Sequence, residues 1–197
     1  MEYIPAKTIL SKCKSSEWFG TDYNMNIYRG CCHGCVYCDS RSDCYHISDF
    51  DMVKAKKDAL IILRNELKRK VRSGVIGTGA MSDPYNPFEK ELMLTRHSLE
   101  LIDAFNFGVS VITKSSLITR DIDILKSIAE HSPVICKLTV TTADDILCKK
   151  LESNVSPSSE RFETISQLNE NGIFSGVVMM PVLPFIAVSY THLTLPT

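Results

Sequence analysis

The chain has 197 residues, with 22 lysines and arginines against 23 aspartates and glutamates and a formal net charge of −1. That length accommodates one domain with a substantial core, and the balanced charge offers no field to attract nucleic acid or an acidic membrane. No apolar run reaches spanning length, no charged-then-apolar leader opens the chain, and eight cysteines among ordinary core residues fit a reducing cytoplasm better than a disulfide-stapled fold.

Apolar patterning alternates between short β-branched runs and helical stretches. Residues 51–72 are expected to be a helix with Ala59, Leu63 and Leu67 on one stripe, stopped at Gly74. Val75–Thr78 reads as a strand buried on both faces, as do 109–113, 134–141 and 173–180. Between them, Thr95 is expected to cap a helix burying Leu99, Ile102 and Phe105, and Thr119 one burying Ile122, Leu125 and Ile128. Ser156 followed by Pro157 predicts an N-cap with proline at the first helical position, and Phe162, Ile165 and Leu168 form the stripe that follows. Strand–helix alternation implies right-handed crossovers and a parallel sheet. The pattern leaves an open sheet and a closed or partial barrel both possible. In either, ligands sit at the carboxyl ends of strands, where Ser82-Asp83, Lys114 and Thr141-Thr142 fall.

The densest chemistry lies in Tyr28-Arg29-Gly30-Cys31-Cys32-His33-Gly34-Cys35-Val36-Tyr37-Cys38, where Cys31, Cys35 and Cys38 are spaced C-x3-C-x2-C. Electron-carrying [4Fe–4S] proteins tie every iron with a cysteine, whereas three ligands leave one iron open to another molecule. Gly30 and Gly34 let the backbone turn tightly around a bulky inorganic core. Two other readings stay open. A zinc-stabilised binding module would use Cys35, Cys38, Cys44 and His46, because zinc prefers four tetrahedral Cys or His ligands. An iron–sulfur electron carrier would need a fourth cysteine, for which Cys44 is nearest. Cys13, Cys32, Cys44, Cys136 and Cys148 otherwise read as ordinary thiols, and His33 and His46 as loop histidines with local hydrogen bonds.

The cysteine loop, with an aromatic before its last cysteine, resembles that of the radical S-adenosylmethionine (radical SAM) superfamily. Asn26-Ile27-Tyr28-Arg29-Gly30-Cys31, Ser82-Asp83-Pro84-Tyr85-Asn86-Pro87 and Ile112-Thr113-Lys114 further resemble its spore photoproduct lyase-like branch, in order between about Ala6 and Ile186. The resemblance implies an α/β fold, a partial (β/α) TIM-like barrel with the cysteine loop after a first strand near residues 25–29. It implies that Cys31, Cys35 and Cys38 hold a [4Fe–4S] cluster. Tyr37 would lie against the adenine of S-adenosylmethionine, Ser82 or Asp83 would accept from its ammonium, Lys114 would meet its carboxylate and Thr139 would bond its ribose. Glu152 and Arg161 match charged positions of the branch, although the residues themselves read as a helix-surface salt bridge.

The activity implied is that of a cytoplasmic, lyase-like enzyme. An external one-electron reductant of flavodoxin or ferredoxin type drives cleavage of S-adenosylmethionine to a 5′-deoxyadenosyl radical, which abstracts hydrogen from a substrate. Spore photoproduct lyase uses a cysteine beside its second-strand motif as hydrogen donor. Here Ala80 and Met81 occupy that stretch, which argues against DNA repair by that route. After Ile186 the sequence Ala187-Val188-Ser189-Tyr190-Thr191-His192-Leu193-Thr194-Leu195-Pro196-Thr197 resembles adapter read-through. Residues 1–186 are therefore expected to be an incomplete radical SAM core and 187–197 a non-native tail.

Overall fold

β-Branched runs flanked by amphipathic helices pair edge to edge in chain order, which builds the main wall of the protein. The computed structural model describes residues 1–14, 20–70, 72–184 and 186, so the expected tail at 187–197 lies outside the described residues. The strands are β1 (Glu2–Ile4), β2 (Leu10–Lys12), β3 (Tyr23–Met25), β4 (Tyr28–Arg29), β5 (Lys54–Lys56), β6 (Val75–Thr78), β7 (Gly108–Thr113), β8 (Val134–Thr139) and β9 (Ser175–Val178). The helices are α1 (Ala59–Lys68), α2 (Glu89–Leu92), α3 (Leu94–Ala104), α4 (Ile122–Ala129), α5 (Asp145–Leu151) and α6 (Ser158–Glu170).

The six-stranded sheet runs β2-β3-β6-β7-β8-β9. β2–β3 is antiparallel and every later pairing is parallel, with Gly77 opposite Ser110, Val111 opposite Cys136 and Leu138 opposite Val177. Each new strand is added on the same side, the succession of a (β/α) barrel wall. A small sheet, β1-β5-β4, stands beside it. The core lies between the wall and its crossover helices: Ile76, Val109, Val111 and Leu138 meet Leu63, Leu99, Ile102, Leu125 and Ile128, all buried. Each such side chain contributes about 1.5–3 kcal/mol.

The expected strands hold: β6 has the predicted bounds, β7 begins one residue earlier, and β8 and β9 are shorter. The helix expected over 51–72 is present only as α1, which buries the expected stripe of Ala59, Leu63 and Leu67; residues 54–56 ahead of it form β5, with Ala55 buried, pairing with β1 and β4. Asp58 then takes a left-handed φ of 56° and separates strand from helix. Thr95 does not cap α3, because its hydroxyl donates to the Pro84 carbonyl. Thr119 sits in a 3₁₀ turn, Ser116–Asp121, ahead of α4. α6 starts one residue later than predicted, with Pro157 in the N-cap place. Its inward face is Arg161, Thr164 and Leu168, while Phe162 is exposed.

The cap of α3 comes from Glu89, which is completely buried. Its Oε1 accepts the amide N–H groups of Thr95 (2.9 Å) and Arg96 (3.3 Å) and an Arg120 guanidinium N–H (3.1 Å), and its Oε2 accepts the Tyr28 hydroxyl. A carboxylate at a helix N-terminus is favoured by the free N–H groups and the dipole. Glu89→Ala leaves these donors without an acceptor. The expected loss of unfolding free energy is about 3 kcal/mol in urea titration, and a loss below about 1 kcal/mol would contradict the anchoring role.

Candidate functional site

A cavity of about 520 Å³ opens at the carboxyl ends of the parallel strands. Gly79 beyond β6, Lys114 beyond β7 and Thr139 at the end of β8 line one side. Cys31, Cys35 and Cys38 line another, together with His33 and Tyr37. The cysteine loop, Asp83 and Lys114 thus share one space, as their positions after strands predict, whereas Thr141 and Thr142 are not in its lining and Thr139 stands there for β8.

The cysteine loop is clasped from both sides. On one, the Cys31 amide donates to the Phe50 carbonyl at 2.8 Å. On the other, Cys35 forms an antiparallel bridge with Glu152, and the Val36 amide donates to the Leu151 carbonyl at 2.9 Å. Asn154 closes the clasp, its amide donating to the His33 carbonyl (3.0 Å) and its side chain to the Cys32 carbonyl (2.9 Å). The two loop glycines serve these flanks. Gly30 and Gly34 have φ of +79° and +70°, and a Cβ would lie 2.6 Å from the Phe50 carbonyl oxygen and 2.3 Å from the Ser153 hydroxyl. The expectation that they make room for an inorganic core is therefore replaced by a closer cause: protein presses on both.

Asp83 lines the cavity with its carboxylate fully engaged. Oδ1 accepts from the Tyr85 amide (2.9 Å) and the Thr113 hydroxyl (2.7 Å), and Oδ2 from the Lys114 amide (2.8 Å). Ser82 is buried beside it but is absent from the cavity lining. The Lys114 ammonium lies 5.9 Å from the centre of the Tyr37 ring. The local hydrogen bond expected of His33 is made with the Cys31 thiol, but the ring is also buried, its Nδ1 3.5 Å from Asp83 Oδ2, fifty positions along the chain. Burial disfavours the imidazolium, but Asp83 and Cys31 outweigh it and raise the His33 pKa.

Glu152 and Arg161 correct the sequence reading most. Neither side chain is exposed at all, and they pair at 2.6 Å. Glu152 Oε1 accepts the hydroxyls of Tyr37 and Thr141, and Oε2 accepts the Arg161 guanidinium and the Cys148 thiol. Arg161 also donates to the carbonyls of Ser156 and Thr139, both at 2.7 Å. Burial works against the Glu152 carboxylate, yet Arg161 and the Tyr37 hydroxyl hold its pKa below the usual range. The sequence did carry one signal. Arg161, Thr164 and Leu168 repeat at helical spacing, a different phase of α6 from the apolar one.

The donor set fits an iron–sulfur cluster: three free thiols on one cavity wall. Among the described residues no three Cys, His, Asp or Glu side chains gather at single-ion distance; cluster thiolates each take a separate iron. Cys44 is exposed on a 3₁₀ turn, outside the cavity lining.

An α/β wall with a three-thiol loop over its strand ends defines the class. A model of the Radical SAM superfamily matches residues 25–189, and the chain belongs to this superfamily. An uncharacterized protein of Methanocaldococcus jannaschii is 35% identical over 168 residues, covering 84% of this chain and 62% of the relative. One from Mycobacterium tuberculosis is 29% identical over 96% of this chain and 58% of its own. The chain thus spans about three fifths of these relatives. Among solved structures, an alanine-for-cysteine variant of spore photoproduct lyase with dinucleoside spore photoproduct superposes with a TM-score of 0.71 at 14% identity, over 97% of this chain and 55% of that one. Another variant, with bound AdoMet and the dinucleoside, gives 0.67 at 15% identity, over 96% and 54%. The expected α/β fold of radical SAM type is the fold found.

The thiols differ in readiness to ionise. For Cys31, burial pushes the pKa up, but hydrogen bonding and charge from His33 bring it below the ordinary value. For Cys35, burial dominates and raises it to about 11. At pH 8 the Cys35 thiolate is then only about one part in a thousand. Iodoacetamide on the metal-free chain at pH 8 is expected to label Cys31 before Cys35 in peptide mapping, the gap narrowing as pH rises toward 11. Equal labelling at pH 8 would contradict this ordering.

Proposed function

We propose that Cys31, Cys35 and Cys38 hold a [4Fe–4S] cluster whose fourth iron is left for the amino and carboxylate groups of S-adenosylmethionine, in an enzyme of the radical SAM type. The observation that carries this reading is that three thiols share one wall of the strand-end cavity while Cys44 stands exposed outside it. Loaded with both, the site supplies reductive cleavage of S-adenosylmethionine to methionine and a 5′-deoxyadenosyl radical for hydrogen abstraction from a substrate. The bound AdoMet named for a spore photoproduct lyase neighbour supports the same cofactor.

The chain's own residues bind and orient. Tyr37 offers a ring face to the adenine, the Lys114 ammonium a point charge to the carboxylate, and the Thr139 hydroxyl a partner for the ribose. Asp83 holds the Lys114 backbone in place through its amide and adds negative charge near the ammonium. Ser82, the other candidate acceptor for that ammonium, is buried outside the cavity lining. The walls limit entry of water and oxygen. The substrate is a molecule that gives up a hydrogen atom. Ala80 and Met81 line the cavity where spore photoproduct lyase carries its donor cysteine, so a different product-forming step is proposed. The lyase-like character, the flavodoxin- or ferredoxin-type reductant and the cytoplasmic setting belong to the same proposal. Eight unpaired cysteines support a reducing compartment, and among the described residues no helix is long and apolar enough to cross a membrane.

Anaerobic reconstitution with iron and sulfide is expected to give a brown protein that releases 5′-deoxyadenosine with dithionite and S-adenosylmethionine. Cys35→Ala should abolish the cluster absorbance and Cys44→Ala leave it intact. A cluster surviving Cys35→Ala would refute the ligand set. Loss on Cys44→Ala would favour an electron carrier, and a colourless protein with stoichiometric zinc a binding module.

A further inference from the structure

We infer that Glu152 is a positioning residue: through the Tyr37 hydroxyl it fixes the middle of the cysteine loop, and with it the pose of the Tyr37 ring, before any cofactor arrives. The inference rests on the proposed cofactor reading only for what that ring meets.

Tyr37 lies between Cys35 and Cys38, so tethering the tip of its side chain restrains the backbone that spaces two of the thiols. The tether ends on a carboxylate that has little freedom to move. Glu152 is bridged through its backbone to Cys35 and held at Oε2 by Arg161. Arg161 in turn is fixed by the carbonyls of Ser156 and Thr139. Thr139 also lines the cavity. One buried network therefore ties the cysteine loop to the end of β8.

A stabilising role alone does not account for this arrangement. Removing a carboxylate and a guanidinium from water costs several kcal/mol each, and a buried ion pair often contributes little net stability compared with apolar packing. Holding α6 against β8 needs only Arg161 and the strand carbonyl. The bond from Oε1 to Tyr37 adds nothing to that joint. It acts on the loop.

Tyr37→Phe isolates the tether, because it keeps the ring and removes only the hydroxyl, and Glu152 retains Thr141 on Oε1. In the cluster-free chain, hydrogen–deuterium exchange at the Val36 amide, which is bonded to the Leu151 carbonyl, is expected to quicken about tenfold in the variant, with β7 amides unchanged. In the reconstituted protein, iron content should match wild type while the Kd for S-adenosylmethionine rises about tenfold. Unchanged Val36 exchange and unchanged Kd in Tyr37→Phe would overturn the inference, since the ring alone would then suffice. Faster exchange of the β7 amides as well would also overturn it, by showing general loosening. If the wild-type chain takes up no iron, the cofactor reading falls, and the exchange result still decides this inference.

Discussion

The site depends on a carboxylate and a guanidinium kept out of water together. Glu152 and Arg161 are each fully enclosed, and each makes the other tolerable: breaking a buried pair costs about 3–5 kcal/mol, a large share of a domain's stability. What the pair secures is geometry. Four acceptor positions of one carboxylate are filled by a phenol, an alcohol, a thiol and a guanidinium. Each comes from a different stretch of chain: the loop, the end of β8, α5 and α6. The arrangement is a junction of four elements at a single functional group.

A second junction forms around residues 82–89. Asp83 joins the ends of β6 and β7 by accepting from Thr113 and Lys114. Tyr85 donates to the buried Asp121 at 3.0 Å, and Asn86 folds back on the Asp83 carbonyl. Glu89 closes the start of α3. A segment that reads as a turn is a polar brace in which Asp83, Tyr85, Asn86 and Glu89 all have partners. The strand-end cavity keeps its shape because its floor is cross-linked by charge-assisted hydrogen bonds rather than by apolar contact alone.

Much of this was legible in the sequence. The four β-branched runs marked the parallel wall, since burial on both faces leaves a continuous apolar signature. The three-cysteine spacing marked the loop, and the positions following each strand marked the cavity. Three features were not legible, for physical reasons. β5 hid inside a helical pattern because three residues are too short for any period to declare itself, and its partners lie far away in sequence. The burial of Glu152 and Arg161 hid because, in a sequence, an enclosed ion pair looks the same as one on a helix surface. The clasp at 151–154 hid because it works through backbone groups, to which residue identity is nearly blind. Tyr37 was singled out for its ring; its hydroxyl was the part that the fold had tied down.

The phenol–carboxylate tie spans 115 positions along the chain. Closing so long a stretch has an entropic cost that must be met before the contact can form. During synthesis the thiol segment emerges early, when the acceptor it needs has not been made. Until residues 151–154 are in place and Arg161 neutralises the pocket, that segment lacks its farther flank. The three thiols are therefore expected to reach their final spacing late in folding.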